Sequence, residues 1–380
     1  MGVLAMLPLR FRARIIEWRS RRYLDPVARL RYLREATSPR PALRLSGDWR
    51  GPRNAALLLL ISLLAPVPNV LDANRSGAPE RLLPLSLSPK PDVPAPRVWL
   101  VENAGSHEIY SNGLRIENRY QERNVPRSYR IYNRERGLAA ETQERVDPAG
   151  IVFHTTESQL APFEQDENRN LRRIGASLMD YVRANRSYHF VIDRFGRVWR
   201  IVAESDAANH AGISVWGDTR RVFLNLNQSF LGVSFEARTR ADAAEPPATP
   251  AQIDAARVLT QMLRSRYAIP ARHCVTHAQV SVNPANMQIG YHTDWAANFP
   301  FRELGLNDNY EEPPPSLFAC GFSYDPLFVE STGLRLWKGL LLAEEQLRQE
   351  ATARGIPVSS HRAALQRRYR QIVGDLAAAR

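Results

Sequence analysis

A chain of 380 residues with an ordinary apolar fraction of 44% has room for one large domain with appendages or two modest ones, which excludes disorder throughout. The formal charge of +12 invites a nucleic-acid reading, but residues 1–53 carry net +9 and residues 332–380 net +5, leaving the middle slightly acidic; no basic groove for nucleic acid is expected there. Cys274 and Cys320 are the only cysteines and form no CxxC pair, so they allow one disulfide, exclude a disulfide scaffold, and leave any metal site to histidine and carboxylate.

In chain order, residues 1–53 repeat apolar positions at helical spacing with arginine between them, as a basic amphipathic helix does. Such a helix suits an anionic membrane surface or a solvated packing face. The uncharged run "NAALLLLISLLAPVPNVL", residues 54–71, is near the lower limit of the roughly 20 apolar residues a span needs. It reads as a membrane or export segment or as a core helix. In the first case the basic flank places residues 1–53 in the cytoplasm. Residues 72–97 form a Pro-rich linker. Residues 98–147 are a β-rich bracing segment with a hairpin about Asn112 and Gly113.

From Gly150 short apolar strands alternate with helices, so residues 148–310 are expected to form an α/β unit, a mixed central β-sheet flanked by helices. "GIVFH" is a strand ending at His154. "SYHFVIDRFGRVWRIV" is a hairpin entered through Tyr188 and His189, which face opposite ways on a regular strand. "NHAGIS" presents His210, and "NLNQSFLGVSFEAR" is a strand carrying Ser234 and Glu236 on one face. An acidic Ala/Pro-rich loop leads into a capped amphipathic helix, "TPAQIDAARVLTQMLRSRY". "CVTHAQVS" puts His277 at a strand end, and "IGYHTDWAANFPF" gathers His292, Asp294 and Trp295 before an apolar Phe299 to Phe301. Residues 311–380 read as a connector and a helical pair broken at Gly355 to Pro357.

The order of these pieces resembles the zinc-dependent N-acetylmuramoyl-L-alanine amidases, the type 2 amidase and peptidoglycan recognition protein group. That family shows a strand ending in a zinc histidine, a Tyr-His-Phe hairpin, a His-Ala-Gly turn, a "GVSF" strand, a helix, a second zinc histidine and a Lys-Thr-Asp-Pro-Gly motif. The resemblance covers roughly residues 148–302 and implies that fold, with helical N- and C-terminal extensions here. It also implies zinc held by His154, His277 and Asp294. Two imidazoles and one carboxylate suit a catalytic zinc, which keeps an open position for water.

Two departures stand out. Trp295 and Ala296 replace the usual Pro-Gly, and His292 replaces a lysine. His292 is read either as a donor to the developing oxyanion or as the third ligand itself, with Asp294 orienting it. Lys90 and Lys338, the only lysines, lie outside the core and cannot fill the role. The resemblance makes Tyr188 the catalytic side chain beside the metal, with Glu236 as a fallback acid or base. It gives His210 a substrate contact, and Trp295 is either a cleft wall or core filling. The implied activity is cleavage of the amide between N-acetylmuramic acid and L-alanine, with peptidoglycan or muropeptides as partners in the bacterial cell envelope. A binding module that keeps the fold without catalysis, and a zinc amidohydrolase acting on another acyl-amino acid, are the rival readings. The complete set of candidate ligands favours an enzyme.

Overall fold

The computed structural model describes residues 32, 92–239, 247–324 and 326–378. The 54–71 segment, the basic region 1–53 apart from Tyr32, most of the 72–97 linker and the acidic part of the 240–246 loop lie outside the described residues. The strands in chain order are β1 (Leu100–Asn103), β2 (His107–Tyr110), β3 (Arg115–Glu117), β4 (Tyr132–Asn133), β5 (Ala139–Ala140), β6 (Gly150–Thr155), β7 (Phe190–Ile192), β8 (Val198–Arg200), β9 (Val215–Gly217), β10 (Arg221–Leu224), β11 (Phe230–Phe235), β12 (Cys274–Thr276), β13 (Val282–Asn283) and β14 (Gln288–Ile289). The helices used below are α1 (Asn168–Ala184), α2 (Pro250–Tyr267), α3 (His277–Val280), α4 (Lys338–Ala353) and α5 (Val358–Ala378).

The β-branched and aromatic runs of β6 and β11 are buried along their whole length, as strands covered on both faces must be. They pair in parallel inside an eight-stranded sheet ordered β1-β2-β3-β8-β7-β11-β6-β12. β7 and β12 extend the parallel core, while the β7/β8 pair and the β1/β2/β3 meander are antiparallel. The sheet is therefore mixed, as expected. The bracing segment supplies three of its strands, and its hairpin turns at Asn112 and Gly113, where glycine accepts φ +84°.

Period-two alternation divides the faces. Ile151, Phe153, Leu231, Val233 and Phe235 pack with Ala256, Leu259, Met262 and Leu263 of α2. On the opposite face Val191, Ile201 and Val202 meet Leu178, Met179 and Val182 of α1. The start of α2 is a capping box: the Gln252 N–H donates to Thr249 Oγ1 at 3.2 Å and the Thr249 N–H to Gln252 Oε1 at 3.0 Å, a device worth about 1 kcal/mol. The Gln252 amide also donates to the Ile192 and Glu236 carbonyls, tying helix to sheet.

A four-stranded sheet, β5-β4-β10-β9, shares a core with the C-terminal segment through Tyr132, Val222 and Leu224 against Phe318, Phe322 and Tyr369. α4 and α5 are the expected pair, and Arg362 of α5 donates to both oxygens of Glu344 at 2.7 and 2.5 Å. Cys274 and Cys320 are both free and buried, so the disulfide that the sequence allows is not formed. Among the described residues no helix is long and apolar enough to cross a membrane.

Candidate metal centre

His154 lies on the α1 face of β6, opposite Ser234 of β11. The tight parallel pairing fixes its Cα. His277 follows β12 directly as the first residue of α3, a turn anchored by the Thr276 N–H donating to Gln279 Oε1 at 2.9 Å. Gln279 in turn donates to the Asn309 carbonyl, and Asn309 donates to the Ala271 and Cys274 carbonyls. The loop after β14 turns at Gly290, φ +77°, where a Cβ would meet Phe328 at 2.3 Å. It is held by the Gly290 N–H to the Ser281 carbonyl and the His292 N–H to Ser281 Oγ. That route delivers Asp294, whose carbonyl accepts the Ala278 N–H at 3.2 Å.

Side-chain atoms of His154, His277 and Asp294 converge within 4.8 Å of one another. His277 Nδ1 is 2.8 Å from Asp294 Oδ1, and His154 Nδ1 is 3.3 Å from Asp294 Oδ2. Two ligands about 2.0 Å from a tetrahedral ion lie about 3.3 Å apart, so the donor set fits a zinc-sized cation. Burial pushes the His154 pKa down to about 4, assisted by His277 and opposed by Asp294, so its imidazole is neutral, the form that ligates. Burial alone would raise the Asp294 pKa, but the neighbouring His277 and His154 hold the carboxyl well below the usual range. Among the described residues nothing pairs with the buried His277 Nε2.

Tyr188 lies beside this group, its ring centroid 5.1 Å from that of His154. It adopts φ +64°, a conformation that strains a bulky side chain. Burial, then the Asp294 charge, raises its phenol to about 12, so it is an O–H donor at neutral pH. His292 stacks on the outer flank of His277, centroids 4.6 Å apart and 17° between planes. Asp294 rather than His292 joins the converging group. Burial and the neighbouring His277 lower the His292 pKa.

Two expectations are corrected, and one of the two readings of Trp295 stands. Trp295 is 0% exposed and packs edge-on against Phe235 and Phe299. It is core filling rather than a cleft wall, and its φ of +58° is one that the family's proline cannot adopt. His210 has both ring nitrogens engaged inside the protein, Nδ1 3.1 Å from His154 Nε2 and Nε2 3.3 Å from the Phe230 carbonyl, so it has no nitrogen free for a substrate. Glu236 lies past the end of β11, two residues or about 6.6 Å along the chain from Ser234. There it accepts the Arg194 N–H at 3.1 Å and faces Gly175 of α1, serving a turn rather than the metal group.

Two residues escaped the sequence reading. Asn227 Oδ1 accepts the successive N–H groups of His210, Ala211 and Gly212 at 2.9, 2.8 and 2.8 Å. The only signal was an asparagine ahead of a strand. Arg127 is 2% exposed and donates to the carbonyls of Glu204, Gln228, Phe230 and Asp206. His189 accepts the Gly232 N–H at Nδ1, 2.9 Å, a structural role as expected from its opposition to Tyr188.

Residues 144–294 match the N-acetylmuramoyl-L-alanine amidase family. N-acetylmuramoyl-L-alanine amidase AmiD of Escherichia coli K12 is 35% identical over 89 residues, 22% of this chain and 31% of that protein. The chain thus spans under a third of that relative's length. Among solved structures, E. coli AmiD in complex with anhydro-N-acetylmuramic acid-L-Ala-D-gamma-Glu-L-Lys aligns at 18% identity, covering 64% of this chain and 98% of that one, TM-score 0.35. AmpDh3 of Pseudomonas aeruginosa in complex with anhydromuramic pentapeptide aligns at 20% identity over 52% of this chain and 88% of that one, TM-score 0.34.

Proposed function

We propose that this chain, whose residues 144–294 carry an N-acetylmuramoyl-L-alanine amidase domain, hydrolyses with zinc the amide between N-acetylmuramic acid and L-alanine in peptidoglycan or its muropeptides. The convergence of His154, His277 and Asp294 carries this reading. Those three side chains hold the metal, which when bound supplies a Lewis acid and lowers the pKa of water towards ~7. The net reaction adds water to the lactyl carbonyl and breaks its C–N bond, leaving a carboxylate and the amine of L-alanine.

Tyr188, protonated at neutral pH, directs its O–H at charge developing on the carbonyl oxygen. His292 takes the place of the family lysine as a neutral N–H donor, its lowered pKa leaving it uncharged at neutral pH. A well-placed donor of this kind contributes about 3 kcal/mol to the transition state. The substrate places the protein in the bacterial cell envelope, with residues 54–71 as anchor or export segment. Full-length protein is then expected to sediment with membranes.

The test is zinc content and muropeptide release for the wild type and His277→Ala. The expected result is one zinc per wild-type chain with release of free muramyl sugar and L-Ala peptide, both lost in the variant. Stoichiometric zinc with no cleavage of any peptidoglycan would sink the activity.

A further inference from the structure

The second nitrogen of each metal-facing histidine meets a different fate. His210 Nε2 lies 3.3 Å from the Phe230 carbonyl oxygen; a carbonyl only accepts, so His210 carries its proton on Nε2. A neutral imidazole carries a single proton. Its Nδ1 is therefore an acceptor. His154 Nε2, 3.1 Å away, must donate to it. With its one proton on Nε2, His154 presents Nδ1 as a bare lone pair, and it faces Asp294 Oδ2 at 3.3 Å. Two acceptors at that distance repel unless a cation lies between them. His277 has no such relay, since its Nε2 is buried and unpartnered. Its Nδ1–H is free to donate to Asp294 Oδ1 at 2.8 Å, the tautomer an imidazole beside a carboxylate adopts when nothing directs it otherwise.

We propose that His210 is a positioning residue for the metal: it takes the Nε2 proton of His154 and so fixes the tautomer in which His154 Nδ1 is open as a ligand before any metal arrives. The inference rests on the zinc reading above and assigns His210 a task other than touching substrate. Its surroundings hold the ring in place. Asn227 Oδ1 pins the three N–H groups of its turn. Gly232 gives it room, because a Cβ there would lie 2.6 Å from His210 Cγ. Orienting groups behind a ligating histidine are usually a carboxylate, a carbonyl or water; here a neutral imidazole relays the hydrogen bond to a strand carbonyl.

Nitrogen-15 spectra of the imidazoles in metal-free protein, with zinc affinity from competition against a chromogenic chelator, test this on wild type, His210→Leu and His210→Asn. The wild type is expected to show His154 protonated at Nε2. His210→Leu is expected to move that proton to Nδ1 and weaken zinc binding by about 10–100-fold. His210→Asn, which keeps an acceptor oxygen near the place of Nδ1, is expected to stay within a few-fold of wild type. Nδ1 protonation in the metal-free wild type overturns the proposal, as does a folded His210→Leu with unchanged tautomer and affinity. Equal losses in Leu and Asn overturn it in favour of packing. Thermal melts establish folding, and the wild-type tautomer decides the question even if a variant unfolds. Failure of the wild type to bind zinc or cleave peptidoglycan would instead count against the function proposed above.

Discussion

The two halves of the metal centre are built differently. His154 stands on a parallel strand with neighbours on both sides, and behind it are layered His210, Asn227, Gly232 and the buried Arg127. His277 and Asp294 come from a one-turn helix and an irregular loop tied mainly by backbone hydrogen bonds and the Ser281 hydroxyl. Nothing bonds to the far nitrogen of His277. The strand half is fixed by the eight-stranded sheet. The loop half brings the charge, and its alignment depends on the loop alone. Losses on the loop side should therefore appear in metal binding alone, and losses on the strand side in stability as well.

The largest effect belongs to Asp294→Asn. Removing the carboxylate takes away a ligand and the acceptor of His277, so zinc affinity is expected to fall by more than the ~100-fold typical of an outer-shell loss, with little change in the urea midpoint. A large fall in stability with zinc retained would erase the distinction between the halves. Arg127→Met is the converse. Its guanidinium donates to four carbonyl oxygens and lies 2.8 Å from His189 Nε2, and their loss of donors at about 1–3 kcal/mol for each buried group predicts a fall of at least about 4 kcal/mol in equilibrium urea unfolding.

Acid should act on the strand half as well. Burial lowers the His273 pKa from 6.5 to about 4, with the Ala149 carbonyl opposing. Between those values the unfolded chain binds a proton that the folded chain refuses, so stability is full above about pH 6.5 and falls as the pH drops. At pH 5 this histidine alone costs about 2 kcal/mol, measurable as a lower urea midpoint than at pH 7. The smallest effect is expected of Trp295→Phe. The indole Nε1 is buried with no partner, so losing it removes little. A volume change of this size costs under about 1.5 kcal/mol, and cleavage should be unchanged. A large drop in cleavage with normal stability would return Trp295 to the cleft.

Much of this was legible in the chain. Hydrophobic alternation gave β6, β7 and β11, a Thr-x-x-Gln box marked the start of α2, and Gly355 to Pro357 divided α4 from α5. These signals are local, with periods and caps spanning a few residues. Arg127 carried no such mark, because its partners lie 62 to 103 residues away.

By itself, then, the sequence determined the order of strands and helices, the identity of the chemically able side chains and the match of residues 144–294 to the N-acetylmuramoyl-L-alanine amidase family. Only the tertiary structure decided that Asp294, and not His292 two residues before it, enters the group with His154 and His277. It also decided that His210 turns inward and that Trp295 fills the core. The reason is physical. In an irregular loop no period dictates where a side chain points, so its direction follows from turns such as those at Gly290 and Trp295, φ +77° and +58°, and from what is already packed beneath.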